Sequence, residues 1–185
     1  MMRRGSNVEL TREIPGLAGV VLGVRWNAGG EAPLADNLVL ATVLCDASQK
    51  VLSDEHFVFF NQLSSPDLSV SQLEWALGDD QEQVEVDLNA VPAKVERIVV
   101  VLYVNEGAPQ RRTLDRLKSC AIRVLNLSNN SELVRSEDLA SGLGEAMAMT
   151  LGELYRYDGG WRFKVLGGGY ADGIKGVAAD YGLTL

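Results

Sequence analysis

The chain has 185 residues, 17 basic and 25 acidic, with a formal net charge of -8 at neutral pH. That balance argues against nucleic-acid binding by bulk charge, and no apolar run reaches the roughly 20 residues of a membrane-spanning helix. Two arginines at positions 3 and 4 precede no hydrophobic segment, so nothing reads as a signal peptide and a cytoplasmic protein is expected.

Short β-like runs separated by turn residues dominate the chain. Residues 17–24 and 38–45 are apolar and rich in valine and leucine, and Phe57-Val58-Phe59-Phe60 forms a third run. One or two helical turns are expected over 71–77. Val84-Glu85-Val86-Asp87-Leu88 alternates apolar and acidic, the period of a strand with one wet face. Residues 98–104 are continuous and β-branched, which predicts a central strand buried on both faces. A short helix is expected over 113–119 and a strand over 120–127. Residues 145–156 are ambiguous, with strand-like apolar residues interrupted at Gly152. Asp158-Gly159-Gly160 is a hairpin signal, and Trp161 to Val165 alternates cleanly after it. The spacing predicts a terminal helix over 174–180, stopped by Gly182. Many short strands with long-range pairing make the expected fold mainly β: a β-sandwich of two mostly antiparallel sheets with a few short helices. No linker or repeat divides the chain.

Charge is distributed unevenly. From Val51 to Ala93 there are nine acids and no lysine or arginine, whereas the remainder is nearly balanced, with sixteen acids against seventeen bases. Such a stretch suits a cation or a charged partner surface. Its densest part is Asp79-Asp80-Gln81-Glu82 after Gly78. Clustered carboxylates repel, so they need water or a cation. A calcium loop would draw further oxygens from Asp67 and from the amides Asn27, Asn37 and Asn61. A solvated turn is the simpler reading, because exposed charge runs usually need no ligand and EF-hand spacing is missing.

Other motifs favour structural roles. His56 is the only histidine and no Gly-x-Ser-x-Gly elbow accompanies it, so it reads as a local hydrogen-bonding group. Cys45 and Cys120 lie in apolar runs with no metal or redox spacing and read as small buried hydrophobes. Gly167-Gly168-Gly169, with Gly173 and Gly176, lacks the lysine of a phosphate loop and reads as a loop with a tight corner and close packing. Arg111, Arg112, Arg116, Lys118 and Arg123 form a basic cluster without interleaved aromatics. The protein's own acidic stretch is its preferred partner.

Taken in order, these motifs resemble the TerD family of tellurite-resistance and general stress proteins. The resemblance is carried by Phe57-Val58-Phe59-Phe60-Asn61-Gln62 with Ser65-Pro66-Asp67, by Val86-Asp87-Leu88 with Val91-Pro92, and by Arg123-Val124-Leu125-Asn126 with Glu132-Leu133-Val134-Arg135. It is closest at Gly152-Glu153-Leu154-Tyr155-Arg156, Trp161-Arg162-Phe163-Lys164 and Gly167-Gly168-Gly169-Tyr170. It implies one domain over residues 1–185, a β-sandwich binding calcium between acidic loops. It also implies a non-enzymatic stress role in membrane-associated or multi-protein assemblies, with other proteins as partners.

The departures from the family pattern fall at the acids. The family's Gly-x-Gly-Trp-Asp is Gly23-Val24-Arg25-Trp26-Asn27 here, and its Asp-Leu-Asp-Ala-Ser corresponds to Asn37-Leu38-Val39-Leu40-Ala41. The acidic loop is shortened to Leu77-Gly78-Asp79-Asp80-Gln81-Glu82. The candidate calcium ligands that remain are Asp67, Asp79, Asp80 and Glu82, with Asn61 and Asn37 as amides. Losing charged ligands weakens calcium affinity, so a partly eroded site is expected, with retention of one site as the alternative. Two further readings stand beside it. A carboxylate-dependent hydrolase or transferase requires a pocket holding paired acids of unlike environment. A protein-interaction module would present the acidic face to a basic partner.

Overall fold

A computed structural model of the chain describes residues 1–105, 107 and 111–185. Eleven strands and two helices are present among them: β1 (Asn7–Glu9), β2 (Gly19–Asn27), α1 (Ala32–Ala35), β3 (Leu38–Cys45), β4 (Phe57–Val58), β5 (Val70–Gln72), β6 (Glu82–Asp87), β7 (Arg97–Val104), β8 (Ser119–Asn126), β9 (Glu132–Arg135), β10 (Ala148–Tyr157), β11 (Gly160–Tyr170) and α2 (Ile174–Tyr181). They form two antiparallel sheets, one ordered β1-β11-β10-β7-β3-β4 and the other β5-β6-β2-β8-β9. The expected β-sandwich is the observed fold.

Side-chain alternation along the strands builds the layers. Val20, Leu22 and Val24 of β2 face Leu40, Leu44, Ile98, Val100 and Leu102 of the other sheet in one buried cluster. The alternate residues of β3 and β7, including Val43, Val99 and Val101, form a second cluster beneath Ile174, Val177 and Tyr181 of α2. Strand β7 is therefore covered on both faces, which is why its sequence runs apolar without alternation. Gly173 has φ +65° before α2, and Gly182, in the left-handed region at φ +73°, ends it. Both cysteines are buried in these layers, and burial pushes each thiol up to about 12.

Several local expectations need correction. The helical turns expected over 71–77 are the edge strand β5 followed by bends, because Val70 to Gln72 pair with Val86 to Val84. The helix expected over 113–119 shrinks to a 3-10 turn at Leu114–Arg116. The ambiguous segment is strand β10, and the register shift between Thr150 and Gly152 explains the ambiguity. Met149, Leu151 and Leu154 all reach the inter-sheet core, so the buried parity changes across that bulge. Gly152 itself has no room for a side chain, since a Cβ there would lie 2.7 Å from the Phe163 ring. The glycine run at 167–169 belongs to β11 rather than to a loop, although Gly173 does form a corner. The Asp158-Gly159 hairpin is as expected, with φ +50° and +80° at its two central residues.

Candidate functional site

The acidic loop at 78–82 is sewn to the end of β2. Gln81 donates its backbone N–H to Val24 O at 2.9 Å, and Trp26 donates its own to Gln81 Oε1 at 2.6 Å. This fastening places Asp80 over Gly23. A Cβ on Gly23 would stand 2.1 Å from Asp80 Oδ2, so only glycine leaves room for the carboxylate. Strand pairing sets Gly23 opposite both Gln83 and Arg123, which brings their side chains to the same outer face.

Asp80 is consequently enclosed by donors. Arg123 Nε lies 3.0 and 2.9 Å from its two oxygens, and Arg123 Nη2 lies 2.9 Å from Oδ2. Gln83 Nε2 donates to Oδ2 at 2.8 Å, and Arg25 Nη2 stands 3.7 Å from Oδ1. The Asp80 side chain has no exposed surface. Arg123 continues to Glu132 at 3.3 Å, and Glu132 to Arg135 at 2.6 Å. A carboxylate chelated in this way already has its counter-charge, supplied by guanidinium groups with matching fork geometry.

The other candidate ligands lie elsewhere. Asp79 is exposed and 4.0 Å from Arg25. Glu82 points to the opposite side of β6 from Gln83 and accepts from Gln72 Nε2 at 2.7 Å; burial holds its pKa above the ordinary carboxylate range, despite that hydrogen bond. Asp67 organises its own turn, its Oδ1 accepting from Ser65 Oγ at 2.8 Å, from the Ser69 N–H at 2.8 Å and from Ser69 Oγ. Burial pushes Asp67 up, but these hydrogen bonds outweigh it and lower its pKa. His56 Nε2 is 3.7 Å from Asp67 Oδ2, and its Nδ1 shares a hydrogen bond with Ser53. Asn61 is exposed. Asn37 donates its side-chain N–H to Pro33 O at 2.8 Å, and Asn27 Oδ1 accepts from the Gly29 N–H.

Among the described residues, no three His, Cys, Asp or Glu side chains group as a metal ion would require. The donor set fits calcium poorly on its chemistry too. Asp80, the most enclosed acid, is neutralised by arginine, and a cation there would have to break that pair. Nor do Asp80 and Glu82 face one cleft as an acid–base pair. Asp80 and Glu82 lie on opposite sides of their sheet.

Arg25, Gln83 and Gln72 are the functional residues missed by sequence reasoning. Arg25 carried a signal, as a base in place of the second glycine of the family's Gly-x-Gly-Trp-Asp. The two glutamines carried none. In the basic cluster, Arg123 meets the acidic stretch as expected, while Arg112 and Arg116 both pair with Glu31 outside it.

Comparison with known proteins places this geometry in context. The model of the TerD domain matches residues 1–181. The chain is 35% identical to general stress protein 16U of Bacillus subtilis (strain 168), covering 100% of this chain and 97% of that protein. It is 33% identical to the tellurium resistance protein TerD of Serratia marcescens, covering 99% and 97% respectively. A solved homologue of the telluride resistance protein TerD from Streptomyces coelicolor A3(2) shares the fold, with a TM-score of 0.63 at 19% identity over 84% of this chain and 91% of that one.

Proposed function

The chain belongs to the TerD family, and on that premise we propose that it is a non-enzymatic binding module of the stress response whose calcium binding is weakened or lost. One observation carries the reading: Asp80 is held by Arg123, Gln83 and Arg25 where a cation would otherwise be needed. The acidic loop then keeps its shape without metal, and the domain presents a permanent surface rather than a calcium-gated one. Tellurium resistance and general stress response, in the names of the relatives, are the settings in which this surface would act. Cytoplasmic location and protein partners are part of the same proposal. Among the described residues, no helix is long and apolar enough to cross a membrane.

Calcium titration separates this reading from a retained site built on Asp67, Asp79, Asp80 and Glu82. Metal-stripped protein is melted with chelator and then with millimolar calcium, alongside Asp80→Ala. A ligand at a hundred times its Kd adds about 2.7 kcal/mol, a shift of several degrees. The expected result is no calcium-dependent shift in the wild type and no binding heat by calorimetry. A rise of several degrees that Asp80→Ala abolishes would establish the retained site instead.

A further inference from the structure

Large apolar side chains are exposed mainly in one part of the chain. Phe60, Leu63, Leu68, Trp75 and Leu77 are 57%, 42%, 73%, 81% and 60% exposed, and all lie within the stretch that has no lysine or arginine. Some of them border an open cleft of about 360 Å³ where the edges of the two sheets meet, beside β3, the turn after β4, and β5. Leu38, Leu40, Phe60 and Leu63 supply its apolar walls. Its polar lining consists of Gln72, Glu74 and Glu82.

The polar groups of this cleft ask for donors. Gln72 is only 9% exposed, its amide nitrogen is committed to Glu82, and among the described residues no donor reaches its Oε1. Glu74, on the rim, is exposed, with Trp75 and Leu77 following it on the same loop. No base of the surrounding 51–93 segment is available to offset these acids, because that segment contains none. An apolar cleft rimmed by carboxylates, with a buried unpartnered acceptor, complements a side chain that has an apolar stem and a cationic tip. Exposed aromatic residues next to such a cleft have the composition of binding hot spots.

We propose that this cleft docks a segment of a partner protein in which a lysine or arginine is flanked by apolar residues, the base entering toward Gln72, Glu74 and Glu82 and the apolar residues covering Phe60 and Leu63. The assignment rests on the binding-module reading but not on the state of calcium. An anionic membrane is disfavoured by the same carboxylates. Electrostatic attraction would speed encounter and apolar burial would set residence time.

A displayed random-peptide library selected on the intact wild-type protein tests this, with counter-selection on Phe60→Ser and Glu74→Lys. Both positions are exposed, and thermal melts verify that the variants fold. The expected outcome is enrichment of peptides combining lysine or arginine with apolar residues. Their affinity should fall about tenfold or more in each variant and decline with added salt. Acidic or purely apolar consensus sequences, equal binding to wild type and variants, or no enrichment would overturn the proposal. Light scattering that shows the wild type self-associating, with Phe60→Ser dissociating it, would assign the cleft to a second copy instead and also overturn it. Calcium melts are run separately, so failure of docking leaves the reading of the Asp80 site to be judged on its own result.

Discussion

At the residue scale, Asp80 shows how a carboxylate can be enclosed by arginine and glutamine donors. The carboxylate has no exposed surface, and Arg123 is only 16% exposed, so their ion pair is shielded from water on one side. Such a pair adds little to stability relative to apolar packing, yet removing one partner leaves the other charge uncompensated. Asp80→Ala is therefore expected to cost about 3 kcal/mol in urea denaturation, towards the lower end for a broken buried pair because Arg123 retains Glu132. A cost below about 0.5 kcal/mol would mean that the contact is no stronger than an ordinary surface bridge. Gly23 belongs to the same unit, since any Cβ there enters the volume of Asp80 Oδ2. Its small size is a requirement of the carboxylate above it, not of its own backbone.

At the element scale, strand pairing decides which side chains meet. Strand β10 runs between β7 and β11, and its bulge turns Glu153 towards Arg97, whose Nη1 lies 2.5 Å away. Burial raises the Glu153 pKa above its ordinary 4.5, although Arg97 and Lys164 pull it back. The folded chain then holds this proton more tightly than the unfolded one. The resulting stability is complete below pH 4.5 and is lost as pH rises through the raised folded value. Glu153→Gln removes that dependence. Its melting temperature relative to wild type should therefore improve between acid pH and neutrality, and a constant difference across that range would contradict the assignment. The same pairing logic makes Val70 to Gln72 a strand and not the start of a helix, because β6 offers β5 a ladder that local propensity does not reveal.

At the scale of the whole molecule, three layers stack: α2, the six-stranded sheet and the five-stranded sheet. Only the middle layer is covered on both faces. The outer face of the five-stranded sheet carries the Asp80 and arginine network, and the acidic cleft opens where the two sheet edges meet. Helix α2 is short, but Ile174, Val177 and Tyr181 close a face containing Val43, Val99 and Val101. Truncation before Gly173 should expose that face, giving increased dye binding to apolar surface and aggregation on size-exclusion chromatography. Val177→Asp should destabilise by about 3 kcal/mol, through a buried charge with no counter-ion. A truncated chain that elutes and melts like wild type would show that α2 contributes nothing to the core.

Much of this protein was legible in its residues. The apolar runs at β2, β3 and β7, the Asp158-Gly159 turn and the stop at Gly182 follow from periodicity and turn chemistry, which are local. The uneven charge was legible too, as were the candidate acids Asp67, Asp79, Asp80 and Glu82. Their arrangement was not, because contact between residues 43 or 55 positions apart depends on register. Asp80 meets Arg123 only because Gly23 lies opposite both Gln83 and Arg123 in the sheet, while Glu82, two residues on, points the other way into the cleft. A one-residue change of register would exchange those faces. Residue order determined that this stretch is acidic and this fold a sandwich; tertiary pairing decided which acid is neutralised from within and which line an open cleft, because it sets the face each side chain takes.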